Sequence, residues 1–385
     1  MAEVGARVGE WQMTDGKDIL VAGAGIWGCT VARRFAEAGR KVLVLEKRAF
    51  VGGNCRCEID PETGIEIHSY GSHIFHTKDK AVWDFVRRFA DFNRYRHGVL
   101  ANYRGKTYHL PIGCTLLKEF FGRDLKPSEL NETDRAAIFE AFIRGYTSKQ
   151  WGVPPEQVDP SVIARLKVRD TFSTDYFDDP WQGIPADGYN ALFSRMLDHP
   201  NITVRTNAEF RIGNDERRNL KIYYSGPIDA LFGCKFGPLP WRTLDFERET
   251  VNCRDFQGAS VVNYTEAEVP YTRIHEFRHY HPESGGGLSP TVEQAGNLNG
   301  RTIIMREYSR AWKPGDEPYY PIGTAESAAL LVRYQAELSA LNSRLATLNS
   351  QLIAGGRLGA YKYYDMDQAV AAALKEMDLT SRNVV

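Results

Sequence analysis

The chain has 385 residues, of which 43% are hydrophobic and 25% are charged. These values are ordinary for a globular protein, and at about 150 residues per domain the length predicts two to three domains. Lysine and arginine together number 48 and aspartate and glutamate 49, so the net charge is −1. This balance excludes bulk disorder and a strongly basic surface, so neither nucleic acid nor an anionic membrane is expected as a partner.

The start of the chain and the cysteines bear on location. Residues 1–16 show no periodicity and are predicted to form a flexible leader. The apolar run 19–32 contains three glycines and is shorter than the ~18–20 residues of a membrane span, so neither a membrane helix nor a signal peptide is predicted. Six cysteines are too few for a disulfide scaffold and favour reduced thiols in a cytoplasmic protein.

The first secondary-structure elements form a recognisable unit. Residues 18–23 predict a short buried strand, residues 27–39 an amphipathic helix that ends at Gly39, and residues 41–46 a second buried strand. A strand, a glycine turn, a helix and a strand within about 30 residues predict a βαβ unit, and hence a parallel sheet.

The middle and end of the chain have different patterns. Residues 78–165 have mainly helical periodicity, with one predicted strand pair near 98–109. Short β-like runs within 202–272, and another at 300–307, predict an antiparallel sheet. Residues 326–348 predict a long helix, either a core helix packed on the sheet or a short coiled coil. The coiled coil is suggested by leucines that recur every seven residues, at Leu331, Leu338, Leu345 and Leu352.

A glycine-rich G-x-G-x-x-G motif separates the first strand from the first helix, at Gly23, Gly25 and Gly28. Gly23 permits the tight turn, Gly25 lets a pyrophosphate approach the backbone, and Gly28 lets helix and strand pack closely. The diphosphate would lie on the helix N-terminus, where free N–H groups favour an anion. Glu46 ends the next strand and would accept the ribose hydroxyls. The motif in this context predicts dinucleotide binding.

The residues after the second strand bear on which dinucleotide is bound. Both NAD(P) and FAD are compatible with the first motif. Lys47 follows Glu46, and a second glycine pair, Gly52 and Gly53, precedes Asn54. This second pair is typical of FAD proteins, and the chain has no second G-x-G-x-x-G for a separate nicotinamide domain. FAD is therefore the predicted cofactor.

Two further sets of residues carry possible chemistry. Three histidines lie in one short stretch, at His68, His73 and His76. Their spacing does not build a tetrahedral metal site, and small residues beside His73 suggest a loop pressed against a flat ring, so no metal is predicted. Dispersed arginines and tyrosines could bind a diphosphate, although sequence spacing does not show that they converge.

Motifs along the whole chain resemble those of the bacterial UDP-galactopyranose mutases, over roughly residues 17–380. In chain order they are GAGIWG, VLEKR, VGGN, YGSHIFHT, GYTSKQWG, DYFDDPWQGIP, YSGPID, VPYTRI, EPYYP and GGRLGAYKYYDMD. The resemblance implies an isomerase that interconverts the pyranose and furanose forms of a nucleotide sugar, by default UDP-galactose, without net redox change. It implies that N5 of reduced FAD attacks the anomeric carbon, that an external reductant maintains the flavin, and that the protein is a homodimer.

The resemblance also implies roles for individual residues. Those expected to act in catalysis are His73, which faces the flavin, and Arg165 and Arg273, which clamp the diphosphate. Those expected near FAD, besides the motif residues above, are His73, Arg242, Arg357 and Met366. Those expected to contact the nucleotide sugar are His97, Phe142, Tyr146, Trp151, Arg165, Tyr176, Asn263, Arg273, Tyr320 and Tyr363.

The chain departs from the family pattern at a few places. Ser72 stands beside the flavin-facing histidine where alanine or proline is usual, and His97 stands where an asparagine is usual near the sugar pocket. The helical segment between Pro111 and Trp151 is also shorter than the family implies. These departures put the sugar, the base and the mode of dimerisation in question, because hydrogen-bonding pockets discriminate sharply between substrates.

The predicted architecture is α/β and mixed, with a Rossmann-like FAD-binding domain, a helical insert and an antiparallel β-sheet domain. The FAD domain takes residues 17–77, about 195–230 and 350–385; the helical domain, with a mobile substrate loop, about 78–175; and the sheet domain about 176–194 and 231–349. Alternative functions are the same chemistry on another nucleotide sugar such as a GDP-hexose, a flavin oxidoreductase of the amine-oxidase type, and a non-catalytic flavin protein.

Overall fold

The computed structural model describes four stretches of the chain, which are residues 18–158, 168–212, 219–282 and 300–382. Most strands belong to two large sheets, one parallel and one mainly antiparallel. The mixed α/β architecture predicted from the sequence is confirmed. The predicted leader at 1–16 and Arg165 lie outside the described residues.

Five short strands form the parallel sheet. In sheet order they are β11 (Ile202–Arg205), β2 (Val42–Leu45), β1 (Ile19–Ala22), β12 (Lys221–Tyr224) and β18 (Gln351–Ala354). Placing the runs of β11 and β12 in an antiparallel sheet is wrong, since both are parallel to their neighbours. A short apolar run predicts a strand but not its partner, which here is chosen by contacts distant in sequence.

The two faces of the parallel sheet pack against different helices. Ile19 and Val21 belong to one apolar cluster with the helix Ile26–Glu37. Leu20 belongs to another cluster with Leu341, from the long helix that was predicted near the C-terminus. That helix therefore packs on the sheet, as the first of its two interpretations predicted, and the leucine repeat does not continue along it, because Leu352 lies in β18.

Seven strands form the second sheet. In sheet order they are β17 (Tyr320–Pro321), β13 (Trp241–Val251), β16 (Thr302–Ala311), β15 (Arg273–Glu276), β14 (Val261–Tyr264), β6 (Val99–Tyr103) and β7 (Lys106–Leu110). All neighbours are antiparallel except β14 and β6. The predicted strand pair near 98–109 is confirmed, but it extends this sheet instead of standing within the helical segment. The domain boundaries stay a prediction.

The remaining elements connect and cover the sheets. The two-stranded pairs are β3 (Cys57–Ile59) with β4 (Glu66–His68), β5 (Phe75–Thr77) with β10 (Trp181–Gly183), and β8 (Ile112–Gly113) with β9 (Val168–Arg169). The α-helices are Ile26–Glu37, Lys80–Val86, Cys114–Phe121, Glu132–Ile138, Gly145–Trp151, Gly188–Leu197, Ile228–Leu231, Ala325–Ala346, Gly356–Gly359 and Met366–Arg382, with a π-helical stretch at Phe139–Arg144. None of these helices has the length and apolar character needed to span a bilayer.

Candidate active site

The glycine-rich turn after β1 has the geometry that its motif predicts. Gly23 has φ +103°, and a Cβ there would lie 2.1 Å from Ser225 Oγ. A Cβ on Gly28 would lie 2.0 Å from the carbonyl oxygen of Gly23, so helix and turn are in direct contact. Nothing lies within 4 Å of the Cβ position of Gly25, which begins the helix. The space above Gly25 is therefore open to a phosphate at the helix N-terminus.

The second glycine pair lies against the first turn. The Gly52 N–H donates to the Ala24 carbonyl at 2.8 Å, and a Cβ on Gly53 would lie 3.1 Å from the Cα of Gly25. Asn54 follows and lines the large cleft described below. The two glycine turns are therefore in direct contact, and Asn54 connects the second turn to the cleft, an arrangement that suits a long dinucleotide such as FAD.

The charged residues after β2 take different directions. The Glu46 carboxylate is buried and accepts from the backbone N–H groups of Ala24, at 2.7 Å, and of Arg48, at 2.9 Å. Lys47, which the sequence favoured as a cofactor residue, points outward and pairs with Glu317 at 2.9 Å, with a half-exposed side chain. The interpretation of Lys47 is therefore not supported by its position.

Arg48 also pairs with Glu317, at 3.0 Å, but its side chain is less exposed than that of Lys47. Its Nη2 donates to Asn54 Oδ1 at 3.0 Å, and its guanidinium lies 4.8 Å from the ring centre of Tyr70. Its Nη1 is buried and has no hydrogen-bond partner among the described residues. A half-buried guanidinium that is paired with Glu317 and keeps one unused N–H beside the glycine turns fits a diphosphate or ribose oxygen. Sequence reasoning missed Arg48, although the run VLEKR contains it.

A cleft of about 540 Å³ adjoins these turns. The predicted site residues that line it are Asn54, His73, His97, Phe142, Tyr146, Trp151, Tyr176, Asn263, Arg273, Tyr320, Arg357, Tyr363 and Met366. The predicted residues that do not line it are Gly23, Gly25, Gly28, Glu46, Lys47, Gly53 and Arg242. Residues far apart in the sequence therefore converge on one cavity, which spacing alone did not show.

Arg273, at the start of β15, provides a half-buried positive charge in this cleft. Its Nη2 donates to the Tyr146 hydroxyl at 2.5 Å, and its Nε lies 3.2 Å from Glu307 Oε1. Burial opposes ionisation of Glu307, but the charge of Arg273 and the hydrogen bond from His275 outweigh it and lower the pKa of Glu307 to about 2. Arg273 is thus held in place by a carboxylate that sequence reasoning did not identify, on the neighbouring strand β16.

An aromatic wall stands near Arg357. The Trp151 ring centre lies 5.7 Å from that of Tyr363 and 6.0 Å from that of Tyr320. The guanidinium of Arg357 lies 5.1 Å from the Tyr363 ring centre and donates to the Tyr364 carbonyl at 2.6 Å. Flat rings with tyrosine hydroxyls and a cation suit a nucleotide, whose base stacks and whose phosphates need donors.

The helix Gly145–Trp151 carries two of the cleft aromatics and is anchored closely to the second sheet. A Cβ on Gly145 would lie 2.3 Å from the carbonyl oxygen of Thr265, so only glycine permits this approach. Lys149 Nζ donates to three carbonyl oxygens of the turn after β14, those of Tyr264, Val269 and Tyr271. These contacts position Tyr146 and Trp151 relative to Arg273.

Arg242, which was predicted to lie near FAD, contacts the end of the helix Gly145–Trp151. Its Nη2 donates to the Lys149 carbonyl at 3.1 Å, and its Nε donates to the Gln150 carbonyl at 3.1 Å. Both nitrogens also contact Ser309 Oγ. A guanidinium at the C-terminal end of a helix satisfies carbonyls that have no partner within the helix. Arg242 therefore secures the helix that carries the cleft aromatics and does not itself line the cleft.

Two polar side chains on the cleft wall are suited to read hydroxyl groups. Asn263 is buried, and its Oδ1 has no hydrogen-bond partner among the described residues. His97 is also buried, its Nδ1 lies 2.9 Å from the Tyr95 hydroxyl, and its ring stacks on Phe177. Burial lowers the pKa of His97 to about 3, so the ring is neutral. A sugar hydroxyl can donate to the first group and pair with the second.

His73 is held by two backbone contacts in the loop predicted to face the flavin. Its Nδ1 donates to the Gly71 carbonyl at 2.6 Å, which leaves Nε2 as an acceptor. Burial lowers its pKa to about 4, so the ring is neutral at pH 7. The His73 backbone N–H donates to His68 Nδ1 at 3.0 Å.

A buried group of potential metal ligands lies behind this loop. Ligand atoms of Cys57, Glu66 and His68 lie within 4.8 Å of one another. Because His68 Nδ1 accepts the His73 N–H, the ring proton of neutral His68 is on Nε2, the atom nearer Glu66. A protonated nitrogen does not coordinate a metal, so this group is not arranged as a ligand set.

The neutral rings of His73 and His97 predict that the folded protein loses stability in acid. For His73 and His97 the folded-state pKa lies below the usual 6.5, so the unfolded state binds more protons and stability falls as pH drops through about 6.5. We expect each of these two histidines to lower the free energy of unfolding by about 1.4 kcal/mol at pH 5.5, relative to neutral pH. Denaturant unfolding between pH 7.5 and 5.5 measures the slope, which His97→Asn should reduce. An unchanged slope in that variant would contradict this account.

Comparison with known proteins supports one family. A family model described as UDP-galactopyranose mutase matches residues 141–363, more than half of the chain, and a model of NAD(P)-binding Rossmann-like domains matches residues 21–89. A probable UDP-galactopyranose mutase of Klebsiella pneumoniae is 35% identical over 94% of each chain. A dTDP-fucopyranose mutase of Escherichia coli is 32% identical, with 95% of this chain and 98% of the relative aligned.

Solved structures share the fold. A crystal structure of reduced UDP-galactopyranose mutase has a TM-score of 0.67 at 16% identity, with 96% of each chain covered. A putative protoporphyrinogen oxidase from Exiguobacterium sp. 255-15 has a TM-score of 0.58 at 12% identity, with 96% of this chain and 99% of that chain covered. At these identities the likeness concerns the fold alone, whereas the family match and the two mutases rest on the sequence. On the strength of these sequence matches, this chain belongs to the UDP-galactopyranose mutase family.

Proposed function

We propose that the chain interconverts the pyranose and furanose forms of a nucleotide sugar, with reduced FAD as its cofactor and UDP-galactose as the default substrate. The observation that carries the proposal is Arg273, which lies in one cleft with the aromatic wall and next to the two glycine turns. A diphosphate bound by Arg273 would have a base on one side and a sugar near the cofactor ring on the other.

The residues divide the work of binding. Arg273 and the hydroxyls of Tyr176, Tyr320 and Tyr363 bind the diphosphate, which leaves the sugar when its charge is neutralised. Trp151 supports the nucleotide side. Arg165 would complete the grip from the predicted substrate loop, outside the described residues.

The other side of the cleft orients the sugar. Reduced flavin, when bound, supplies a nitrogen nucleophile for the anomeric carbon. Asn263 and His97 hold the sugar hydroxyls so that a different one can close the ring. His73 offers a neutral Nε2 acceptor toward the cofactor.

A panel of substrates tests the proposal. Dithionite-reduced holoenzyme is incubated with UDP-galactose, dTDP-fucose and GDP-hexoses, and furanose products are resolved by chromatography and NMR. We expect one nucleotide sugar to be converted by reduced enzyme and none by oxidised enzyme. Conversion that does not depend on the flavin state would overturn the proposal. Steady flavin reduction by an amine, without added reductant, would support the amine-oxidase alternative instead.

His97 is proposed to set the choice of sugar. We expect His97→Asn to change the ratio of kcat/KM between two sugars by about tenfold, because a good hydrogen bond is worth about 0.5–1.5 kcal/mol and an unpaired group costs more. The matched control is His109→Asn, which changes an exposed histidine. An identical substrate profile for wild type and His97→Asn would remove His97 from the sugar pocket.

Three further points belong to the proposal. All six cysteines are unpaired, which suits the reducing cytoplasm. A redox partner would supply electrons to the flavin, since the chain has one dinucleotide motif. The protein would act as a homodimer, and sedimentation analysis measures this directly.

A further inference from the structure

A chain of buried hydrogen bonds joins the loop that carries His73 to the arginine that grips the diphosphate. It consists of Tyr280, Ser72, His275 and Glu307, and we call these four residues the relay. The Tyr280 hydroxyl donates to Ser72 Oγ, and Ser72 Oγ lies 2.5 Å from His275 Nδ1. His275 Nε2 lies 3.1 Å from Glu307 Oε2. The other oxygen of Glu307 lies 3.2 Å from Arg273 Nε.

The hydrogens of the relay have one consistent arrangement in the resting state. Glu307 is a carboxylate and can only accept, so His275 carries its proton on Nε2. His275 Nδ1 then accepts from the Ser72 hydroxyl, and Ser72 Oγ accepts from Tyr280. Tyr280, His275 and Glu307 are almost completely buried, and Ser72 and Glu307 both line the cleft.

The charges around His275 explain why it is neutral at rest. Burial and the positive charge of Arg273 both lower the pKa of His275, while Glu307 raises it. The rings of His68, His73 and His97 also interact electrostatically with His275, and burial lowers the pKa of each of these three below its usual value. Among the described residues, His275 also contacts the hydroxyl of Ser72 and the ring of Phe277, and its partners across the sheet are the apolar Val261 and Met305.

The arrival of an anion changes this balance. Before an anion binds, Arg273 and Glu307 neutralise each other, and His275 adds no charge. A diphosphate on Arg273 would cancel the positive charge that opposes protonation of His275 and would place negative charge close to the buried Glu307. A second buried cation would then be stabilised, because opposite charges a few ångströms apart interact strongly where water is excluded.

We propose that His275 is a positioning residue that takes up a proton when the diphosphate of the substrate binds Arg273. The proton is added to Nδ1, and the resulting imidazolium donates to Ser72 Oγ and to Glu307. Ser72 Oγ then accepts from both His275 and Tyr280, so its own hydrogen turns away from His275 toward the cleft. Binding at Arg273 thus presents a new hydroxyl donor beside His73. This inference rests on the proposed function.

Calorimetry tests the inference through the proton balance. Oxidised holoenzyme is titrated with UDP-galactose, dTDP-fucose and GDP-mannose in buffers that differ in enthalpy of ionisation. The phosphates of a nucleotide sugar do not titrate near neutral pH, so a proton exchanged on binding belongs to the protein. We expect net uptake of a proton fraction near pH 7, and a Kd that weakens by up to about tenfold per pH unit at higher pH. Uridine, which lacks the diphosphate, should cause no uptake.

Three variants identify the proton acceptor. His275→Gln should bind the nucleotide sugar with no proton uptake and with a Kd that no longer depends on pH. Ser72→Ala, which removes only one hydroxyl from a half-buried residue, should fold and show reduced uptake. His109→Gln removes an exposed histidine and should behave like wild type.

The outcomes separate the inference from the function on which it rests. Binding without proton uptake in wild type would overturn the inference and leave the proposed function standing. Undiminished uptake in His275→Gln would also overturn it, by assigning the proton to another group such as Glu307. If no nucleotide sugar binds, the proposed function fails and the inference fails with it.

Discussion

Replacing Arg273 with alanine is expected to lower kcat/KM for furanose formation by well over tenfold. Charge-assisted hydrogen bonds are worth roughly 1.5–3 kcal/mol, and each 1.4 kcal/mol is a factor of ten. The guanidinium is held toward the cleft by Tyr146 and Glu307, so no other described side chain takes its place at that position. Initial rates with reduced enzyme give kcat and KM, and titration with UDP gives the Kd.

The same substitution should also affect stability. Without Arg273, Glu307 would be a buried carboxylate whose remaining partners are His275 and Thr272. Breaking a buried ion pair from one side costs roughly 3–5 kcal/mol. We therefore expect a lower denaturation midpoint for Arg273→Ala, largely restored in Arg273→Ala with Glu307→Gln, which stays impaired in catalysis.

Two matched controls accompany this experiment. Arg273→Lys keeps the charge but loses the fork of donors, so it should recover stability better than activity. Arg254→Ala removes an exposed arginine near the same sheet and should change neither stability nor activity. Wild-type efficiency in Arg273→Ala would remove Arg273 from the diphosphate site and with it the basis of the proposed function.

Alanine substitutions at two glycines of the first turn are expected to differ in their effects on folding and on cofactor binding. Gly28→Ala would place a methyl group 2.0 Å from the Gly23 carbonyl oxygen, so helix and turn must move apart. Overpacking of this kind costs typically about 1–3 kcal/mol, occasionally more. We expect a lower melting temperature and poor retention of flavin.

Gly25→Ala should have the opposite profile. Its backbone has φ −75°, and no atom lies within 4 Å of its Cβ position, so the apoprotein should fold normally. The methyl group would occupy the space through which a phosphate reaches the helix N-terminus. We expect flavin affinity to fall by about tenfold or more, or about 1.4 kcal/mol.

The readouts for this pair are the melting temperature of apoprotein and the flavin absorbance that remains after gel filtration. The matched control is Gly98→Ala, because no atom lies within 4 Å of the Gly98 Cβ position and its φ is ordinary. Gly39→Ala is unsuitable, because Gly39 has φ +80°. Full flavin retention in Gly25→Ala would place the cofactor phosphates elsewhere.

The relation between sequence and site differs between the two halves of the site. The glycine turn was predictable because its chemistry is local: strand, turn and helix follow one another within a few residues. The substrate cleft was predictable only through resemblance to a family. Its lining residues come from β14, β15, the helix Gly145–Trp151 and the C-terminal part of the chain, and no spacing rule joins them.

The sequence gives a residue's type but not the direction of its side chain. Lys47 and Arg48 are adjacent cations that both pair with Glu317, and only the packing of the chain brings the second against Asn54 as well. Arg242 is an arginine close to the site, yet its donors are occupied by the end of a helix. Glu307 and His275 were missed because a lone carboxylate and a lone histidine in strands carry no sequence signal.

The sequence by itself determined the dinucleotide turn, the mixed α/β class and the family, since these follow from short-range patterns and from the order of motifs. The tertiary structure alone decided which strands distant in sequence pair, that Ser72 lies beside His275, and that Arg273 is balanced by Glu307. The physical reason is that hydrogen bonds and charges act over a few ångströms, whereas their partners here are separated by tens to hundreds of residues along the chain.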